Sequence, residues 1–277
     1  MSSYGGLKAG YVAVMRMFFP ALLLAAGPAL AHSALAQPAS AQPASGLTEL
    51  HFAAYAAGSR LAVLTATYAL AGPAYRVTIG FRTDGPAAVL FPGGTDSVVT
   101  GRIVAGRPRP DRLFSSGAFR GQTRVTQIEY TNDTPHIRQM QPGPDEGREP
   151  VPEAQQAHTV DGLTAMGDLV RRVVTTGRCD GEVTVFDGRR LSQIDAKTAE
   201  TEMLPPSSRS SFSGPALRCA ITTRFVAGFM PDTDEQFRKP QLASAWFAPL
   251  TPGGPPIPVR VSIPTKFFGE ASLYLID

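Results

Sequence analysis

The chain is poor in the side chains that carry chemistry. Its 277 residues include two cysteines, four histidines and one tryptophan, and each scarcity removes a class of function. Cys179 and Cys219 stand too far apart in sequence for a redox pair, in which two residues separate the thiols, and a zinc site needs four ligands. His51, His136 and His158 show no ligand spacing and are read as solvated or hydrogen-bonded side chains. Ser213 sits in Phe-Ser-Gly-Pro, not in the Gly-x-Ser-x-Gly elbow that exposes a hydrolase nucleophile, and no nearby His offers a base. No glycine-rich loop follows a strand and opens a helix, which disfavours nucleotide chemistry. Asp145, Glu146 and Glu149 match no calcium template and are read as solvated. The expectation is no catalytic residue, no metal and no cofactor.

Long apolar runs and an excess of one charge are missing too. The greasiest stretch, residues 17–26 after Arg16, is too short to cross a hydrocarbon core of roughly 30 Å, and Pro20 and Pro28 interrupt the region. A positive start, a short apolar middle and Ala34-Leu35-Ala36 describe a cleavable secretory signal peptide over residues 1–36. The expected cut follows Ala36, Ala29-Leu30-Ala31 is the second possible site, and Met15 or Met17 is an alternative start. No Cys directly follows either cut, so no lipid anchor is expected, and no transmembrane anchor remains in the mature chain. Residues 37–46, rich in Gln, Pro, Ala and Ser, read as a flexible spacer. Removing Lys8 and Arg16 with the leader lowers 26 basic residues to 24 against 23 acidic ones, a net charge of about +1. Without blocks of Lys or Arg, such a chain is not expected to bind nucleic acid. The protein is expected in the periplasm or secreted, where thiols are oxidised.

What is present is β texture. Apolar and β-branched residues alternate with a period of two at 61–68, 75–82, 98–104 and 123–130, separated by turn formers at Gly72-Pro73, Asp84-Gly85-Pro86, Pro92-Gly93-Gly94 and residues 106–110. A proline-rich acidic run at 141–156 sustains neither a helix nor a central strand and is expected to be a surface loop. The texture resumes at 182–186, 190–196, 217–226, 242–250, 257–263 and 266–276, with Asp187-Gly188 read as a two-residue hairpin. Short links between successive strands imply an antiparallel meander. With 43% apolar residues, positions 47–277 are expected to form a single β-rich domain.

One segment has helical spacing. At 161–176, Leu163, Met166, Leu169, Val170, Val173 and Val174 recur at intervals of three and four, with Asp161 placed to cap the start and Gly177 the end. The fold class expected is mainly β, a strongly curved antiparallel sheet or half-barrel of about eleven strands with this long helix across its concave face. Cys179 at the helix exit and Cys219 in an apolar strand are an even pair in an exported chain. They are therefore expected to form a disulfide closing a loop of about forty residues, the alternative being two buried reduced thiols.

Four phrases taken together point to a family: Arg148-Glu149-Pro150-Val151-Pro152, Cys179-Asp180-Gly181, Val185-Phe186-Asp187-Gly188-Arg189-Arg190, and Phe212-Ser213-Gly214-Pro215-Ala216-Leu217-Arg218-Cys219. The chain resembles the bacterial exported family called domain of unknown function 3108 over roughly residues 47–277. Phe212 stands where the pattern suggests tyrosine, which argues against an essential hydroxyl there. The resemblance implies no assigned activity. At the level of fold it is similar to periplasmic lipoprotein carriers and other half-barrels that hold an acyl chain.

Arg189 and Arg190 alternate about the following strand, so one faces inward unless it lies at the rim, and it then needs Asp180 or a ligand carboxylate or phosphate as partner. A half-barrel leaves an apolar trough, and the residues expected to line it are Phe81, Phe186, Arg190, Trp246, Met166 and Leu169. The function expected is non-enzymatic binding of a lipid-like, apolar or amphiphilic molecule. The alternatives are a module that docks on an envelope protein and, third, a hydrolase with a hidden Ser–His or paired-carboxylate site.

Overall fold

The computed structural model describes residues 47–70, 72–143, 145, 147–265 and 269–277. The expected signal peptide and spacer, residues 1–46, lie outside them. One antiparallel sheet of thirteen strands contains two meanders. The first runs through β1 (Leu47–Ala56), β2 (Ser59–Ala69), β3 (Ala74–Thr83), β4 (Gly93–Val104), β5 (Arg107–Phe119), β6 (Gln122–Thr131) and β7 (Thr134–Gln141). The second runs through β8 (Gly181–Phe186), β9 (Leu191–Leu204), β10 (Gly214–Ala227), β11 (Gln241–Pro249), β12 (Pro256–Thr265) and β13 (Gly269–Leu275). They join where the last strand pairs with the first, Phe52 opposite Leu275, so β7 and β8 are left as the two edges.

Those edges are brought together without a strand ladder between them. Val160 forms a parallel bridge with Val185, its N–H donating to Thr184 O at 3.0 Å while Phe186 N–H donates back to Val160 O at 2.9 Å. Just before it, His158 N–H donates to Asp133 O, 2.8 Å away in the β6–β7 turn, and Arg189 donates to the carbonyl of Pro142 beyond β7. The sheet is thus a nearly closed barrel, and part of the β8 edge is covered by the Val160 bridge.

Thirteen strands replace the eleven or so expected; β1, β5 and β7 lie outside the segments read as strands, and proline explains the last two. Residues 106–110, read as a turn, contribute only Gly106 to it: Ala105 and Gly106 turn the chain at φ 50° and 75°, and β5 starts at Arg107. Pro108 and Pro110 are accommodated beside a register shift at Thr100/Gly101, where an irregular ladder asks for fewer donors. β7 is a mostly exposed edge strand carrying Pro135, and it lacks the alternation that marks a half-buried strand. Asp84-Gly85-Pro86, read as a turn, opens the short helix Gly85–Leu90, with Asp84 Oδ1 accepting from Gly85 N–H at 2.8 Å. Asp187-Gly188 belongs to a four-residue loop, not a two-residue hairpin. Phe186 pairs with Leu191, Gly188 adopts φ 90°, and Asp187 Oδ1 accepts from Arg189 and Arg190 N–H.

The long helix spans Gly162–Thr176. Asp161 accepts from Thr164 N–H at 2.9 Å, and Gly177, at φ 68°, donates back to Val173 O. These caps satisfy terminal groups that the helix itself leaves unpaired. The helix contacts β3, β4, β5, β8 and β12, strands drawn from both meanders, which explains its apolar breadth. Val170 and Val173 join the main core with Leu50, Phe52, Tyr68, Val77, Val99, Leu113, Ile128, Phe247, Val259 and Leu275. At its exit Cys179 is bonded to Cys219 across a Cα separation of 5.8 Å, both residues fully buried. The bridge ties the helix to β10.

Candidate functional site

Strand alternation and register define the inward face of the first meander in rows. The deepest row, Tyr68, Val77, Val99, Leu113 and Ile128, is apolar apart from one phenol and buried throughout. Two residues along each strand the row becomes Ala66, Ile79, Ser97, Ser115 and Thr126, with Ser97 Oγ and Ser115 Oγ 2.7 Å apart. The next is Leu64, Phe81, Thr95, Gly117 and Arg124, all half-buried. Polarity and exposure both rise toward this end of the barrel, where the β3–β4, β5–β6 and β8–β9 connections lie.

The helix presents four directions. Thr164 and Gly167 face β3: Thr164 Oγ1 is 2.9 Å from Tyr75 Oη, and a Cβ on Gly167 would come 2.8 Å from Val77 Cγ2. Ala165 packs with Val160, Val183, Val185 and Ile194. Asp168, Arg171 and Arg172 border an outer polar groove of about 550 Å³, together with Arg109, Asp133, His158 and Glu182. The charges there compensate, Asp168 pairing with Arg171 at 2.7 Å and Arg172 at 3.1 Å, and Arg109 with Asp133. The remaining side carries Leu163, Met166 and Val170, and Met166 is 42% exposed.

A polar knot lies under the helix start. Asp161, wholly buried, accepts from Thr164 N–H and from Thr164 Oγ1–H at 2.7 Å. Burial raises its carboxyl pKa above the ordinary value against the pull of those bonds. Burial likewise raises the Tyr75 phenol, and that of Tyr130 with the Asp161 charge adding to it. The Tyr130 hydroxyl is buried without a hydrogen-bond partner among the described residues.

The expected lining residues separate. Phe81 lies in the outermost inward row, and Met166 and Leu169 on the helix, Leu169 against the main core. Arg190 is half-buried with its guanidinium 5.7 Å from the Phe225 ring. Phe186 fills a satellite core with Leu191, Ala227 and Val151. Trp246 stands on the opposite face from its neighbour Ala245, between Arg218 and Arg260 on the flanking strands. The two guanidiniums lie 6.0 and 4.9 Å from its ring, and its Nε1–H donates to Glu202 at 2.8 Å. Arg124, not singled out from sequence, and Arg189, weighed there with Arg190 as a candidate to face inward, have buried Nε groups without hydrogen-bond partners among the described residues. The spacing Arg124, Thr126, Ile128 carried the signal for Arg124, since all three share one face.

Among the described residues no cluster of three His, Cys, Asp or Glu could hold a metal, and no helix is long and apolar enough to cross a membrane. The architecture is a nearly closed antiparallel β-barrel of thirteen strands, with one long helix in contact with strands of both meanders and a disulfide at its exit. The family described as "Protein of unknown function (DUF3108)" matches residues 50–276, and the chain belongs to it, as the four sequence phrases indicated. Among solved structures it is similar to the crystal structure of a beta-barrel-like protein of domain of unknown function DUF1849 from Brucella abortus. The identity is 11% and the TM-score 0.43, over 83% of this chain and 97% of that one. No curated protein matches the chain.

Proposed function

We propose that the protein is an exported, non-enzymatic binder of an apolar or amphiphilic molecule, with the long helix lying across the concave side of the barrel as its floor. The observation that carries this reading is Met166, an apolar side chain 42% exposed on the helix side that faces neither β3, nor β8, nor the outer polar groove. Half-buried inward residues add to it: Leu64, Ile79 and Phe81 on one meander, Ile221, Val261 and Leu273 on the other. Apolar surface left wet in this way favours a ligand that removes it from water, at about 25 cal/mol per Å² buried.

Native mass spectrometry of protein recovered from a bacterial periplasm, followed by organic extraction, tests the reading. A co-purifying lipid-like mass supports it. No such mass, together with no uptake of a fluorescent fatty acid, overturns it. Chemical crosslinking in cells that traps one dominant envelope protein and no lipid would favour a docking module instead.

A further inference from the structure

Arg124 sits in the outermost inward row of the first meander, opposite Gly117 and in line with Phe81 and Leu64. Val125 is paired with Gln141, so the next position brings Arg124 abreast of Pro142. The carbonyl of that same Pro142 accepts from Arg189, which also donates to Gly143 O at 3.2 Å. The fold therefore brings Arg124 and Arg189 near each other, from a strand and a loop that are distant in sequence, close enough for their charges to interact. Both have a buried Nε with no partner, and among the described residues neither forms an ion pair. The nearby carboxylates are shared: Asp145 pairs with Arg148 while its charge also reaches Arg124 and Arg189, and Asp187, whose Oδ1 accepts from the backbone of its own loop, acts on Arg189 through its charge alone. Arg148 itself donates to Gly228 O as well. Burial, and after it the Arg189 charge, lowers the Arg124 pKa to about 9 against the opposing pull of the Asp145 charge.

Two half-buried like charges with no ion pair among the described residues favour an added anion. A planar guanidinium is the side chain best shaped to grip a carboxylate or phosphate through paired hydrogen bonds. The adjacent inward hydroxyls of Thr95, Ser97, Ser115 and Thr126 extend the polar zone, while Phe81, Ile79 and Leu64 continue it into apolar wall. The geometry points to Arg124 and Arg189 as a head-group site for the carboxylate or phosphate end of an anionic amphiphile, whose apolar part lies along the barrel interior. This inference rests on the ligand-binding reading and narrows it to anionic amphiphiles.

Binding of cis-parinaric acid, a fluorescent fatty acid, is compared with binding of its uncharged methyl ester. The acid is expected to bind about tenfold more tightly, and Arg124→Gln or Arg189→Gln to remove most of that preference by weakening the acid alone, the size expected of one charge-assisted hydrogen bond. Unchanged ester binding by each variant shows that the fold and the apolar interior are intact. Equal affinity of the parent protein for acid and ester, or equal loss of both in the variants, overturns the head-group site and leaves the apolar reading standing. Failure of the parent to bind either probe removes both readings. Inorganic phosphate that displaces the acid, with no ester binding, assigns a site for free anions and overturns the amphiphile.

Discussion

Breaking the Cys179–Cys219 bridge should cost more stability than any single side-chain truncation considered below. The bond closes a loop of 40 residues that holds β8, β9 and the first part of β10. In the chain-entropy account the cross-link removes about 2.1 + 1.5R ln 40, roughly 13 cal/mol/K, from the unfolded state, or about 3.9 kcal/mol at 25 °C. Replacing both cysteines by alanine also deletes two fully buried sulfur atoms, adding about 1 kcal/mol at each site. The double variant should therefore lose about 6 kcal/mol and the reduced parent about 4. In a domain of this size each kcal/mol moves the thermal midpoint by about 2–4 °C, so reduction alone should lower it by about 8–16 °C. The assay is circular dichroism melting of oxidised parent, reduced parent and double variant, with urea titrations in parallel. The urea m-value should rise once the bridge is gone, because an uncrosslinked unfolded chain exposes more surface. Midpoints that agree within about 2 °C between oxidised and reduced parent would refute the entropic argument.

The remaining predictions concern the polar knot, the helix seat and the rim. Asp161 has a raised native pKa, so the native state keeps its proton longer than the unfolded chain does. Its stabilising protonation is full below the unfolded value of about 3.9 and is lost as pH rises through the native value. Asp161→Asn retains a capping oxygen and should flatten that decline, seen as a urea-midpoint difference that grows in favour of the variant between about pH 4 and 7. Parallel curves for parent and variant would sink the idea. Tyr130→Phe deletes a buried, unpartnered hydroxyl and should be neutral or stabilise by about 1 kcal/mol. Tyr75→Phe, which breaks the contact with Thr164, should destabilise by about 1 kcal/mol, and chemical denaturation ranks the two. Gly167→Val forces side-chain atoms into Val77 and should lower stability by about 1–3 kcal/mol, whereas a gain would mean the helix seat yields. Arg124→Gln should melt no lower than the parent when ligand-free, because it removes an underpaired charge.

Much of the fold was legible locally. The helix was readable because its apolar spacing, its Asp161 cap and its Gly177 stop all agree within one short window. The central strands of the first meander were readable because one face is buried and the period of two survives. β5 and β7 escaped because Pro108, Pro110 and Pro135 sit in strands whose neighbours tolerate them, a fact of register and edge position rather than composition. Trp246 shows a different limit. A tryptophan among Ala245, Phe247 and Ala248, all buried, gives no alternation from which to choose a face. Only the pairing with Arg218 and Arg260 places its ring on the outside. Arg124 was accessible by alternation, yet its partner Arg189 lies across the barrel seam.

Composition and periodicity were enough to establish an antiparallel β domain with one amphipathic helix and to couple Cys179 with Cys219, since each depends on neighbours within a few residues or on a simple count, while the family was signalled by the resemblance of four short phrases. Tertiary structure decided how the sheet closes, through β1 against β13 and the bridge of Val160 to Val185, and which aromatic and cationic groups turn inward. The physical reason is that backbone preference acts over a few bonds, whereas choice of face is settled by burial summed over strands that meet only when the chain is folded. The approach of Arg124 to Arg189 belongs to that second kind of information.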